Sequence, residues 1–142
     1  MKPPDEPAHR DEVLTKLGLV DGLVVQELGY DSDVDDDLRF AIEDATGGDL
    51  EDEDYGDVAD AALVWFRDDD DDLVDLLVDA STNLVERGFI LLMTPKQGQP
   101  GHVEASDIQD AATTAGLTTT GKANVSALWA VTRLVSPHGA RR

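Results

Sequence analysis

The chain of 142 residues carries 31 acidic and 11 basic side chains, a net charge of −20 at neutral pH, and no cysteine. So acidic a chain is ill suited to nucleic acid or anionic membrane surfaces, which are held through Lys and Arg, and neither is expected as a partner. Disulfides, thiolate catalysis and zinc–thiolate centres are excluded, and the length suits one domain with one core.

Residues 1–10 hold three prolines and read as a frayed lead-in to a single α/β domain over 11–136, with a loose tail over 137–142. The N-terminus lacks the order of a signal peptide and no apolar run has membrane length, so a cytoplasmic location is expected. Residues 11–19 suit a short helix with Val13, Leu14 and Leu17 on one side, stopped near Gly18. After the turn Asp21-Gly22, residues 23–28 form an apolar, β-branched run that predicts the first strand. An acidic loop follows, then a helix over 34–45 with Leu38, Ala41, Ile42 and Ala45 in its stripe and Gly47-Gly48 at its end.

Residues 49–57 form an acidic connector. Residues 61–66, Ala-Ala-Leu-Val-Trp-Phe, are apolar throughout, as in a strand covered on both faces. The aspartate run 68–72 places negative charge where the next helix begins and its dipole favours it. Leu73, Leu76, Leu77, Ala80 and Leu84 predict a long amphipathic helix ending at Gly88. Residues 89–93 make a second fully apolar strand. Ser106 and Gln109 read as a capping box for a helix through Ala115, stopped by Gly116. Residues 118–125 and 129–135 suit a closing hairpin. The alternation predicts an α/β open three-layer sandwich around a mostly parallel five-stranded sheet ending in an antiparallel hairpin. The residue 61–66 strand is expected between the other two apolar strands.

Three stretches carry a resemblance: Gln26-Glu27-Leu28-Gly29-Tyr30-Asp31, residues 57–66, and Leu91-Leu92-Met93-Thr94-Pro95-Lys96 with Gly101-His102-Val103-Glu104 and Ser106-Asp107-Ile108. From about Leu17 to Val135 the chain resembles an actinobacterial family designated a domain of unknown function (thirty fifty-two), which implies no known reaction. It also resembles the methyltransferase variant of the Rossmann-like fold, whose seven strands end in a hairpin. That resemblance implies strands matching the first, fourth, fifth, sixth and seventh, with two strands missing. In such enzymes glycines follow the first strand so that backbone N–H groups approach adenosylmethionine, and an acidic residue ending the second strand holds the ribose. Here Tyr30, Asp31 and Asp33 replace the glycines and the second strand is missing, so no cofactor is expected.

A ligand crevice in an open parallel sheet lies beyond the carboxyl ends of its strands. Tyr30, Asp31, Arg67, Lys96 and His102 are the ligand-binding candidates there, with a small anionic ligand favoured. For Arg67 and Lys96 the commoner role, neutralising nearby aspartates, weighs more than ligand binding. Asp31, Asp33, Asp35 and Asp37 alternate like calcium ligands, yet Asp36 and Ile42 stand where an EF-hand needs Gly and Glu; the run reads first as a solvated helix N-terminus, with a non-EF calcium or magnesium site as the lesser alternative, and no metal is assigned. No catalytic residue is assigned: His102 has no evident nucleophile partner, since Ser32, Ser81, Ser106, Ser126 and Ser136 lack a nucleophile-elbow context. Trp65 and Trp129 read as packing residues. The leading expectation is a non-catalytic, shortened methyltransferase-like domain acting in regulation or protein–protein interaction. A protein partner or self-association goes with it, because losing two strands leaves the first strand as a bare sheet edge, to be paired by dimerisation or covered by the N-terminal helix. The alternative is a small-molecule binder or small enzyme using the crevice.

Overall fold

The computed structural model describes residues 7–70 and 72–136. The predicted tail over 137–142, residues 1–6 of the predicted lead-in and Asp71 lie outside them. In chain order the elements are α1 (Pro7–Lys16), β1 (Val25–Leu28), α2 (Asp36–Thr46), β2 (Ala59–Trp65), α3 (Leu73–Thr82), β3 (Leu84–Pro95), α4 (Ala105–Thr114), β4 (Thr118–Ala123) and β5 (Trp129–Val135). The five strands form one sheet in the order β1-β2-β3-β5-β4. β1, β2 and β3 run parallel, and β5 pairs antiparallel with both β3 and β4. This is the expected α/β sandwich with β2 central among the parallel strands.

The apolar runs account for the layering. Ala62, Leu63, Val64 and Trp65 of β2 are fully buried because successive side chains enter opposite cores. Ala61, Leu63 and Trp65 join Leu14 of α1 with Leu38 and Ile42 of α2. Ala62, Val64 and Phe66 join Leu77 of α3 with Ile108 and Ala112 of α4. Helix ends follow local chemistry. Asp35 caps α2 by accepting from Leu38 N–H at 3.0 Å, and Gly47 ends it at φ 83°.

Four expectations are corrected. α1 begins at Pro7, inside the stretch read as lead-in, because proline suits a first helical turn, where its missing N–H costs nothing. α3 stops at Thr82, and residues 84–88, expected as helix, extend β3. Here pairing overrides periodicity: Ala59 N–H donates to Asn83 O at 2.8 Å and Leu84 pairs with Ala59. The capping box is absent. Ser106 lies inside the first turn of α4, whose N-cap Glu104 makes no side-chain cap, and Gln109 instead accepts from the Thr119 hydroxyl at 3.0 Å.

The fourth concerns the edge at β1, which the connector after α2 covers in place of α1. Glu27 N–H donates to Glu51 O at 2.7 Å, and Glu51 N–H returns to Val25 O at 2.9 Å. The buried Gln26 amide donates to Asp52 O at 3.1 Å and Tyr55 O at 3.3 Å. The acidic connector thus acts as a short sixth ribbon, satisfying backbone groups that would otherwise invite pairing.

Candidate functional site

At the carboxyl end of β1 the chain turns at Gly29, φ 79°. A Cβ there would stand 2.2 Å from Trp65 O, so only glycine fits between the two strands. Both polar groups of this glycine are taken by side chains. Its N–H donates to Glu53 Oε2 at 2.9 Å, and its carbonyl accepts from Arg67 Nη1 at 2.9 Å.

Arg67 is the hub of this edge. Its Nε and Nη2 donate to the two carboxylate oxygens of Asp33, the former at 3.0 Å, and Nη1 also reaches Trp65 O at 3.3 Å. The guanidinium lies 5.2 Å from the centre of the Trp129 ring, over its face. Hydrogen bonding from Arg67 holds the Asp33 carboxyl below the usual carboxylate range. The Trp129 indole donates to Asp33 O at 3.2 Å, and the buried Ser126 hydroxyl to Asp35 Oδ2 at 2.6 Å, so the β4–β5 loop clamps the same acidic turn. Asp31 Oδ1 accepts from Ser32 N–H. The alternating aspartates therefore face different partners. Among the described residues, no three His, Asp or Glu side chains gather as a metal site.

A second polar cluster escapes a reading of the sequence as a list of exposed candidates. Glu27 points into the core, only 5% exposed, and its carboxylate accepts from Arg39 Nε and Nη2 at 2.8 and 2.9 Å. The fully buried Trp65 indole donates to the same carboxylate at 2.8 Å. The hydrogen bonds to Glu27, and after them the contact with Asp36, raise the Arg39 pKa above its ordinary value. Tyr30, largely exposed, covers Arg39 with its ring at 4.7 Å. The available signal was a glutamate inside a strand otherwise bound for the core, which requires a cation.

The five candidates divide between two recesses. Tyr30, Asp31 and Arg67 border one of about 300 Å³ at the ends of β1 and β2, shared with Glu53, Asp70 and Asp72. Lys96 and His102 border another of about 690 Å³ between α4 and the β4–β5 hairpin. His102 is already engaged: Nδ1 lies 3.0 Å from Pro95 O, and Nε2 3.0 Å from Glu104 Oε2. The Trp65 and Trp129 rings pack edge to face with centroids 4.9 Å apart, as packing residues do.

Residues 14–138 match the family described as Protein of unknown function (DUF3052). The chain belongs to this family. Over 129 residues it is 50% identical to Uncharacterized protein Rv2239c of Mycobacterium tuberculosis, covering 91% of this chain and 81% of that protein. Among solved structures it is similar to a SAM-dependent methyltransferase from Aquifex aeolicus, with TM-score 0.59 and 12% identity over 92% of this chain and 93% of that one. It is also similar to magnesium protoporphyrin IX methyltransferase from Synechocystis with bound SAM, with TM-score 0.54 and 13% identity over 92% and 79% of the two chains. Such identities establish a methyltransferase-like Rossmann fold and nothing about chemistry. Among the described residues, no helix is long and apolar enough to cross a membrane.

Proposed function

We propose that this family member is a non-catalytic, shortened methyltransferase-like domain that works in the cytoplasm by regulation or protein–protein interaction. One observation carries the reading: the turn after β1 is bonded shut by its own side chains. In the methyltransferase frame, Gly29 opens the stretch from which backbone N–H groups would meet adenosylmethionine. Here Glu53 takes its N–H and Arg67 its carbonyl. The surrounding recess, about 300 Å³, lies at the lower end of the size of small-molecule sites. Of its lining side chains among the described residues, Arg67, the one basic group, is already committed to Asp33 and to the Gly29 carbonyl, which leaves no free cation for the carboxylate of the cofactor's methionine end. These residues do not fit adenosylmethionine, and no transfer step is assigned to them.

The test is a thermal-shift titration with adenosylmethionine to millimolar concentration. A melting temperature that stays flat is the expected result. A saturable rise would establish a cofactor site by linkage and overturn the reading. A second reading, a small-molecule binder, gains support from the separate cleft beside α4, and that cleft is where Lys96 belongs.

A further inference from the structure

The cleft between α4 and the β4–β5 hairpin differs chemically from the rest of the molecule. It measures about 690 Å³, and among the described residues no Asp or Glu lines it, in a chain with 31 acidic residues. Lys96 enters it from the end of β3, and Lys122 from edge strand β4. Among the described residues, neither lysine has an ion-pair partner.

The floor is built by register. Thr132 pairs with Leu92 on one side and Lys122 on the other, while Thr94 pairs with Ala130, so these residues share the sheet face that α4 covers. Thr94 and Thr132 are 2% and 3% exposed, line the cleft, and their hydroxyls bond to no group among the described residues. Neither hydroxyl oxygen is sealed inside the protein, so each opens to the cleft and can donate to a ligand there. Two such hydroxyls beside two uncommitted ammonium groups make an acceptor-binding surface. Pro95, Val103 and Ile108 supply apolar wall.

We propose that this cleft binds a small organic phosphate monoester, with Lys96 and Lys122 pairing the phosphate, Thr94 and Thr132 donating to its oxygens, and the apolar wall holding the organic body. A monoester carries nearly two negative charges near neutral pH and three strong acceptor oxygens, matching two point-like cations and two hydroxyls. Among the described residues no arginine lines the cleft, so none offers a fork to a planar carboxylate. The volume lies within the range of small-molecule sites and far exceeds a bare phosphate ion. The proposal is independent of the cofactor reading, since the cleft shares no lining residue with the recess at β1 and β2.

The experiment is an amide chemical-shift titration of the full chain at fixed ionic strength, using phenyl phosphate, inorganic phosphate and phenol as probes. Saturable shifts with phenyl phosphate are expected around Thr94, Lys96, Lys122 and Thr132, with inorganic phosphate weaker and phenol inert. Lys96→Met and Lys122→Met should each weaken phenyl phosphate by roughly fivefold or more, the scale of one charge-assisted hydrogen bond. Thr132→Val, which leaves the charges in place, should weaken it by a smaller factor. Arg87→Met removes an exposed positive charge outside the cleft lining and should leave binding unchanged. No saturable shift, shifts centred elsewhere, phenol or inorganic phosphate matching phenyl phosphate, or equal losses in Lys122→Met and Arg87→Met would each overturn the proposal.

Discussion

Arg67 and Asp33, 34 positions apart in the chain, meet in a two-pronged contact that joins the end of β2 to the acidic turn after β1. Because the same guanidinium holds the carbonyls of Gly29 and Trp65, one side chain organises the edge at which this fold usually receives a ligand. An arginine so committed is a structural residue first.

Arg67→Met should therefore destabilise the protein by about 2 kcal/mol, the scale of losing charge-assisted bonds in a partly buried setting. Arg67→Lys should recover little of it, since an ammonium cannot serve Asp33 with two parallel donors while reaching Gly29 O. Urea melts of the three proteins at pH 7 measure both differences. Equal stability in all three would demote the contact to a surface pair.

The Asp33 contact also predicts a pH signature. Its folded pKa is depressed, mainly by the Arg67 hydrogen bond. Its stabilising contribution is thus present above the unfolded aspartate value, about 3.9, and is lost as pH falls through the lower folded value. The stability gap between wild type and Asp33→Asn should stay constant from pH 7 to about 5, then narrow as acid is added. Urea midpoints across that range test it; a gap that widens in acid would refute the assignment.

Glu27 and Arg39 form the deeper pair. Arg39→Met leaves a buried carboxylate with the Trp65 indole as its remaining side-chain donor, and should cost about 3–5 kcal/mol. Combining it with Glu27→Gln should cost less than the sum of the two single changes, because the second substitution removes the stranded charge. A double-mutant cycle by urea unfolding reads the coupling, expected at about 1–3 kcal/mol. Strict additivity would mean that the pair does not interact energetically.

Two glycines separate backbone strain from crowding. Gly22 has φ 93°, and a methyl group added there would meet nothing within 4 Å, so Gly22→Ala should cost about 1 kcal/mol from conformation alone. Gly29→Ala adds a 2.2 Å collision with the Trp65 carbonyl on the neighbouring strand and should fail to yield a cooperatively folded protein. Heteronuclear spectra and thermal melts distinguish the two. A well-folded Gly29→Ala would show that β1 and β2 can separate at this end.

The parallel heart of the sheet was legible in the residues. Apolar runs at residues 61–66 and 89–93 can be satisfied only by strands buried on both faces, and helices between them force parallel, right-handed crossovers. Gly47, Gly116 and the Thr- and Val-rich end placed helix stops and the hairpin, because these are local preferences of backbone and side chain. Tertiary structure decided the rest. Residues 84–88 match the helical stripe through Leu84, and only the Ala59–Leu84 pairing pulls them into β3. The partners of Arg67 and Glu27 lie 34 to 38 positions away for Asp33, Gly29 and Trp65, a separation set by crossovers and invisible to periodicity. The same geometry parted Lys96 and His102 from Tyr30, Asp31 and Arg67, and brought Lys122 and two unpartnered threonines to Lys96 instead. Periodicity records which face a residue occupies; it holds no information about which distant residue shares that face.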